Sequence, residues 1–185
     1  MLYRRGVFGG LALLLSGCAS WRAPGAHLPP LPAPPPGPYR LGPGDALAIR
    51  VYDQPQLSGS YHVDDSGAVD MPLLGPVQAG GASPDQLAAR IAAALRQRQF
   101  ILNPSVAVEV AAYRPFYILG EVNAPGQYPF RPGMSVLTAV SIAGGFTDRA
   151  ETGYVGVTRG GSQYRASPAA PVQPGDVITV FERRF

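Results

Sequence analysis

The sequence has no lysine, a single cysteine and only two histidines among its 185 residues. A lone cysteine excludes an internal disulfide framework and any metal site built from clustered cysteines. All 15 basic residues are arginines and are opposed by 12 acids, which argues against the strongly basic face of a nucleic-acid-binding protein. No apolar run reaches the roughly 20 residues of a membrane-spanning helix. What the chain does contain is 23 glycines and 21 prolines, so we expect short elements joined by many turns.

The first 17 residues have the pattern of a targeting segment. Arg4 and Arg5 form a positive n-region, and the apolar run at residues 6–15 suits a signal peptide. The run leads into Leu-Ser-Gly-Cys, which resembles the lipobox of bacterial lipoproteins. The resemblance implies cleavage between Gly17 and Cys18, and acyl chains on Cys18 that would anchor the protein stably. An ordinary secretory signal followed by a chance cysteine is the alternative.

Residues 18–38 are predicted to form the lipidated cysteine and a disordered, Pro-rich linker. At about 3.1 Å per residue, a polyproline-like chain of this length could hold a folded domain roughly 60 Å from the lipid. A flexible tail without a spacing role is the alternative. The residue after Cys18 is Ala19 rather than aspartate. In Gram-negative lipoproteins that pattern implies sorting to the outer membrane, with the protein facing the periplasm.

Residues 39–114 are predicted to form a first, small α/β domain. Apolar and polar side chains alternate over residues 46–52 and 105–111, which predicts two half-buried strands. Residues 61–63 and 68–71 are predicted to pair with each other as a hairpin across the turn between them.

The clearest helix signal in this domain begins at Ser83, a favourable N-cap. Pro84 suits the first helical position, and Gln86 completes the spacing of a capping box. Apolar residues then recur four apart and would form one buried stripe. These are Leu87, Ile91 and Leu95.

Residues 115–185 are predicted to form a second, strand-rich domain. A short helix over residues 136–143 is expected, with Ser135 as its cap and two glycines at its end. Its predicted strands are residues 116–122, 127–130, 154–159, 163–165 and 177–181.

One short motif occurs in both domains. Pro43-Gly44-Asp45 and Pro174-Gly175-Asp176 each precede an alternating apolar strand. Proline, glycine and aspartate favour turns for different reasons, so the repeat indicates a shared turn device. We therefore assign no catalytic role to either aspartate.

No catalytic constellation is visible, and the chain is not expected to be an enzyme or to hold a cofactor. His27 lies in the Pro-rich segment, and His62 lies near Asp64 and Asp65. Those three residues could bind a metal ion, but a polar hairpin loop is the stronger interpretation, and no metal site is predicted.

Taken in order, these motifs resemble the outer-membrane polysaccharide export lipoproteins. The first domain carries Gly42-Pro43-Gly44-Asp45, the capped helix and Asn103-Pro104-Ser105-Val106. The second carries Gly120-Glu121-Val122 and Ala143-Gly144-Gly145-Phe146, as in the SLBB module that follows the export domain in this family. The resemblance implies an α+β fold, with a polysaccharide export domain followed by a β-grasp-like SLBB domain.

The same resemblance implies a function and partners. Members of the family form homo-oligomeric rings in the periplasm, which enclose a conduit for capsular polysaccharide or exopolysaccharide. An inner-membrane polysaccharide copolymerase feeds the conduit. Only four residues follow Phe181, too few to cross a bilayer core about 30 Å thick. We therefore expect a separate outer-membrane barrel to complete the passage. The loop residues Gln54, Gln56, Ser58 and Tyr61 are proposed as a ring contact or lumen constriction.

Two rival functions remain open at this point. A periplasmic lipoprotein that binds a soluble ligand through its SLBB domain would be a monomer with saturable binding. A lipid-anchored cell-wall hydrolase would lose activity when one particular acid is changed, and no such acid stands out.

Overall fold

The structure, a computed structural model, describes residues 23–183. The signal segment, Gly17 and Cys18 lie outside the described residues, so cleavage and lipidation remain predictions. The predicted α+β fold is confirmed, with two domains in the expected order. Within residues 23–183, no helix has both the length and the apolar character needed to span a bilayer.

The first domain packs one helix against a small antiparallel sheet. Its three-stranded sheet has the order β2-β1-β5, and β3 and β4 form a separate two-stranded sheet. The elements are β1 (Ala46–Val51), a 3-10 turn (Pro55–Leu57), β2 (Gly59–His62), β3 (Ala68–Met71), β4 (Gly75–Gln78), α1 (Pro84–Gln97) and β5 (Val106–Ala112).

Helix α1 begins as the sequence predicts. The Ser83 hydroxyl accepts from the Gln86 amide, and the Gln86 side chain accepts from the Ser83 amide, which completes the capping box. The apolar stripe of the helix faces the domain core, where Leu87, Ile91 and Leu95 are fully buried. Burial of this stripe stabilises the helix, because short isolated helices are marginal in water.

The predicted hairpin between residues 61–63 and 68–71 is wrong. Strand β2 pairs with β1, and β3 pairs with β4. The chain turns back directly onto β1 through residues 55–58, so β1 takes β2 as its neighbour. A tight turn at Leu73, whose φ is +67°, likewise gives β3 its own partner. Between them, Asp64 and Ala68 close a turn, in which the Asp64 amide donates to the Ala68 carbonyl at 2.8 Å.

The second domain is a mixed five-stranded sheet with a short helix. The sheet order is β7-β6-β10-β8-β9, with β6 and β10 parallel at its centre and the other pairs antiparallel. This is the predicted β-grasp-like arrangement. The elements are β6 (Phe116–Gly120), β7 (Gly126–Tyr128), α2 (Val136–Ile142), β8 (Val155–Arg159), β9 (Ser162–Ala166) and β10 (Val177–Val180).

The described part of the Pro-rich segment, residues 23–38, contains turns and one isolated bridge but no helix or extended strand. It follows the surface of the second domain, and Leu31 packs against that domain's core. Because proline lacks an amide proton, the segment cannot form a regular ladder. Its contacts with the second domain were not predicted.

Candidate functional site

Two of the four predicted loop residues stabilise the loop itself. The Ser58 hydroxyl accepts from the Val51 amide at 2.9 Å and donates to backbone oxygens of Val51 and Gln54. The Tyr61 hydroxyl donates to the Leu57 carbonyl at 2.9 Å, and burial raises the pKa of Tyr61. Leu57 is the buried apolar anchor of the turn. Ser58 and Tyr61 therefore shape the loop from within.

The other two loop residues face outward. Gln56 is exposed and donates to the side chain of Gln54, which is half-buried. Gln54 and Ser58 line an open groove of about 810 Å³ on the outer face of β1 and β5. Tyr52, 82 % exposed, lines the groove as well. The groove is thus available to a partner, and the role of the loop as a ring contact stays a prediction.

The acids beside His62 form a turn. The Asp64 carboxylate accepts from the Ser66 hydroxyl at 2.6 Å and from the Ala68 amide at 2.9 Å. The hydrogen bond from Ser66, followed by the one from Ala68, lowers the pKa of Asp64. Over the described part of the chain, no group of three or more His, Cys, Asp or Glu residues is placed to hold a metal ion.

One of the two buried acids of the described residues lies where the two domains meet. Asp45 is fully buried and accepts from the Tyr39 hydroxyl, the Gly42 amide and the Arg114 amide, at 2.8 to 3.0 Å. Burial, followed by the hydrogen bond to Asp45, raises the pKa of Tyr39 well above its usual value. Since the Tyr39 hydroxyl stays protonated, it remains a donor to this carboxylate.

Arg114 extends from Asp45 to the second domain. Its Nη1 lies 3.7 Å from the Asp45 carboxylate, and its Nε donates to the Pro174 carbonyl at 3.1 Å. The side chain passes between the two Pro-Gly-Asp turns. A Cβ added at Gly42 would lie well inside 3.0 Å of Nη1, and one at Gly175 would lie 3.0 Å from Nε. Glycine therefore makes room for the guanidinium on both sides.

The second turn has the same internal geometry but a different partner. Asp176 accepts from the Gln173 amide at 2.8 Å, as Asp45 does from Gly42. Its carboxylate then pairs bidentately with Arg159 of the same domain, at 2.9 and 2.7 Å. This shared geometry supports the interpretation of the repeated motif as a turn device.

A cavity of about 350 Å³ opens beside Arg114. Three of its walls are the rings of Tyr39, Tyr113 and Phe130, which pack edge to face with centroids 4.9 and 5.5 Å apart. Residues of the Pro-rich segment close another side, among them Pro34 and Pro38. We use the term junction for Asp45, Arg114, the three rings and the two turns.

Sequence reasoning did not find Arg114. The available signal was its position, three residues after a predicted strand and directly before Pro115, at the boundary between two domains. A second signal was Asp45 in the predicted turn before a half-buried strand, because a carboxylate that becomes buried there needs hydrogen-bond donors. Neither signal identifies the partner without the fold.

Comparison with protein families gives two matches. Residues 33–111 match the family described as polysaccharide biosynthesis/export protein, and residues 115–166 match the SLBB domain. The chain therefore carries an export domain of this family followed by an SLBB domain. Its export domain is the first domain of the structure, and its SLBB domain is the second. The sheet of the SLBB domain continues beyond the matched residues, since β10 lies at its centre.

Three curated relatives are named for polysaccharide production, export or transport. The exopolysaccharide production protein ExoF of Rhizobium meliloti (strain 1021) is 40 % identical over 127 residues, covering 62 % of this chain and 30 % of the relative. The EPS I polysaccharide export outer membrane protein EpsA of Ralstonia nicotianae is 29 % identical over 165 residues, covering 75 % and 43 %. The polysialic acid transport protein KpsD of Escherichia coli is 30 % identical over 109 residues, covering 58 % and 19 %. The chain thus spans less than half the length of each of these relatives.

Proposed function

We propose that this protein is a periplasm-facing lipoprotein of the outer membrane that forms part of the export conduit for capsular polysaccharide or exopolysaccharide. The observation that carries the proposal is the order of its two domains, an export domain followed directly by an SLBB domain. Relatives named for exopolysaccharide production, for polysaccharide export at the outer membrane and for polysialic acid transport support it.

Membrane attachment in this proposal depends on Cys18. It follows a short apolar run and two small residues and is the only cysteine of the chain. Thioether and amide-linked acyl chains together would anchor the protein stably. Intact-mass measurement of the membrane-extracted protein should show a lipidated cysteine at its amino terminus, and an unmodified Cys18 would contradict the anchor.

Assembly into a homo-oligomeric ring is the second part of the proposal. Tyr52 and Leu102 are 82 % and 76 % exposed at the end of the export domain farthest from the junction. The Tyr52 amide donates to the Ser105 carbonyl at 2.9 Å. The end of β1 and the segment that leads from Leu102 into β5 therefore lie side by side next to the groove. Exposed apolar side chains beside a groove suit a contact between subunits.

The ring is tested by the mass of the detergent-extracted protein. We expect an oligomer for the wild type and a smaller species for Tyr52→Asp combined with Leu102→Asp. Tyr117→Asp is the control, because Tyr117 is also exposed but lies on the SLBB domain. A wild-type protein that is monomeric at every concentration would contradict a ring.

Export itself is tested by deleting the gene and locating the polymer. We expect polymer to accumulate in the periplasm while the extracellular amount falls, and the wild-type gene to restore secretion. Cys18→Ser should yield a folded protein that fails to restore it. Normal secretion by the deletion strain would overturn the proposed function. Proposed partners, an inner-membrane copolymerase and an outer-membrane barrel, should co-purify with the wild type after cross-linking.

A second function is favoured by one observation, the aromatic-lined cavity at the junction. Rings of Tyr39, Tyr113 and Phe130 could stack on a small soluble ligand, as expected of an SLBB-type binding lipoprotein. Saturable binding of a periplasmic metabolite by a monomer, together with normal polymer secretion in the deletion strain, would favour this alternative.

A further inference from the structure

The cavity beside the junction has a positively charged lining. Of the described residues that line it, two are arginines, Arg40 and Arg114, and none is an acid. The ion pair between Arg114 and Asp45 offsets one of the two charges. Arg40 forms no ion pair within residues 23–183, and its Nη1 donates to the neutral Gln86 side chain at 2.9 Å. The excess of positive charge favours an anionic ligand.

The guanidinium of Arg114 has unused hydrogen-bond donors. Of its five N–H groups, the one on Nε donates to the Pro174 carbonyl. Nη1 is buried and has no hydrogen-bond partner within residues 23–183, which is a costly arrangement for a donor. The side chain is 30 % exposed and lines the cavity, so a ligand there can reach part of the guanidinium. A carboxylate matches its planar fork and would accept charge-assisted hydrogen bonds.

The three rings of the junction offer an apolar surface to the same ligand. Tyr39, Tyr113 and Phe130 are each half-buried, so part of every ring stays accessible. Their planes cross at 81° and 74° rather than stacking on one another. The face of an aromatic ring carries partial negative charge and attracts weakly positive C–H groups. A pyranose ring presents such C–H groups on its flat faces, while its hydroxyl groups project outward.

The size and the polar groups of the cavity also suit a sugar. Its volume of about 350 Å³ lies at the low end of the range for small-molecule pockets, which limits the ligand to a small unit. Gln173 and Tyr113 contribute an amide and a hydroxyl group to the lining. Both groups can donate and accept hydrogen bonds, as the hydroxyls of a sugar require.

We propose that this cavity binds a carboxylate-bearing sugar unit of the exported polysaccharide. The carboxylate pairs with the guanidinium of Arg114 in the field of Arg40, and the apolar face of the sugar lies against the junction rings. The inference rests on the proposed export function and adds the chemical class of the polymer, which is acidic. Both domains and the Pro-rich segment line the cavity, so the bound unit contacts all three parts of the chain.

Binding is tested by NMR titration of the mature chain, residues 18–185, carrying Cys18→Ser. The two probes are methyl β-D-glucuronide and methyl β-D-glucoside, which differ only in the carboxylate that replaces a hydroxymethyl group. We expect the glucuronide to shift the amides of Tyr113 and Phe130 saturably. The glucoside should bind about tenfold more weakly or worse, because it cannot form the charge-assisted pair. Equal affinities, or no saturable shift with the glucuronide, would overturn the proposal.

Matched variants distinguish the cavity from the rest of the surface. Arg40→Gln removes one lining charge and leaves the bonds of Arg114 in place, so it should weaken glucuronide binding several-fold. Phe130→Leu removes a ring and should weaken the binding of both probes. Arg96→Gln and Phe100→Leu make the same changes at exposed residues outside the cavity lining and should leave the affinities unchanged. Equal effects of the cavity variants and their controls would overturn the assignment of the site.

The source of the sugar is tested on the polymer whose secretion depends on this gene. Hydrolysis and anion-exchange chromatography should identify a carboxylate-bearing sugar in it. Oligosaccharides released from the polymer should compete with methyl β-D-glucuronide for the cavity. A strictly neutral polymer, or fragments that do not compete, would overturn the inference and leave the export function standing. Normal secretion by the deletion strain would instead overturn the proposed function itself.

Discussion

The two Pro-Gly-Asp turns use the same local geometry for different purposes. In both, the aspartate amide donates to the carbonyl three residues earlier, and the carboxylate accepts from that residue's amide. Asp176 then pairs with Arg159 inside its own domain, whereas Asp45 binds the amide of Arg114 at the boundary. The local sequence determines the turn. The aspartate carboxylate can accept further hydrogen bonds, and the fold determines which donor makes them.

Asp176 therefore acts as an internal brace of the SLBB domain, by which we mean a contact within that domain alone, whereas Asp45 connects the two domains. Arg159 is 16 % exposed and satisfies Asp176 fully, so that pair stabilises the SLBB domain alone. Arg114 is 30 % exposed and divides its bonds between Asp45 and Pro174. Changes at Asp176 should therefore act on one domain, and changes at Asp45 should alter how the two domains unfold together.

The largest expected effect follows from Asp176→Ala. Removing the carboxylate leaves the mostly buried Arg159 guanidinium without its counter-charge, with only the Pro171 carbonyl as acceptor, which should cost about 3–5 kcal/mol of unfolding free energy. Glu182→Gln is the control, because its pair with Arg149 is exposed to solvent and should contribute far less to stability. Urea unfolding of both variants measures the contrast, and equal losses would show that Asp176 is not an internal brace.

Asp45→Asn should have the next largest effect. The amide keeps the shape of the side chain but loses its charge and one acceptor, leaving one of three donors unmet. We expect a loss of about 1–3 kcal/mol, together with weaker coupling between the domains. Urea unfolding followed separately by probes in the two domains measures both effects. Coincident unfolding curves in this variant would argue against the connecting role of Asp45.

Gly42→Ala tests the space around Arg114. The added methyl group would overlap the guanidinium, so the side chain must shift, at a cost of about 1–3 kcal/mol. The double variant with Arg114→Ala is the control, because the same methyl group then meets an empty space. A thermodynamic cycle should show a clear interaction between the two changes, and additive losses would rule out the close contact.

The smallest expected effect is that of Tyr39→Phe. Losing one hydrogen bond to Asp45 should cost about 1 kcal/mol near neutral pH. Burial raises the pKa of Tyr39 in the folded state above its unfolded value near 10, so its stabilisation is present below pH 10 and is lost as pH rises further. The difference in stability between wild type and variant should therefore shrink above pH 10. A difference that is constant from pH 7 to 11 would contradict this.

Local signals predicted much of the fold. Ser83 and Ser135 each accept from the amide three residues later, as their sequence context indicated. Alternation located most strands to within a residue or two. The hairpin at residues 61–71 was wrong because alternation indicates a strand but not its partner. The parallel pairing of β6 with β10 brings together residues about 60 positions apart, which no local pattern reveals.

The site was harder to predict than the fold. Gln54 and Ser58 do line a groove, but Ser58 and Tyr61 mainly hold the loop together. The proline content of residues 24–38 indicated an extended chain, yet proline carbonyls remain good acceptors. Pro24, Pro29 and Pro174 accept from Tyr154, Arg165 and Arg114, respectively. Such contacts depend on side chains and edges that only the folded SLBB domain brings into reach.

The connection of the two domains through Asp45 and Arg114 is tested most directly by calorimetry of the Cys18→Ser protein. We expect one cooperative transition for this protein and two separated transitions after Arg114→Ala, because the side-chain bond to Pro174 and the ion pair with Asp45 then no longer couple the domains. Two independent transitions without the Arg114 change, or a single transition with it, would contradict the connecting role assigned to this arginine.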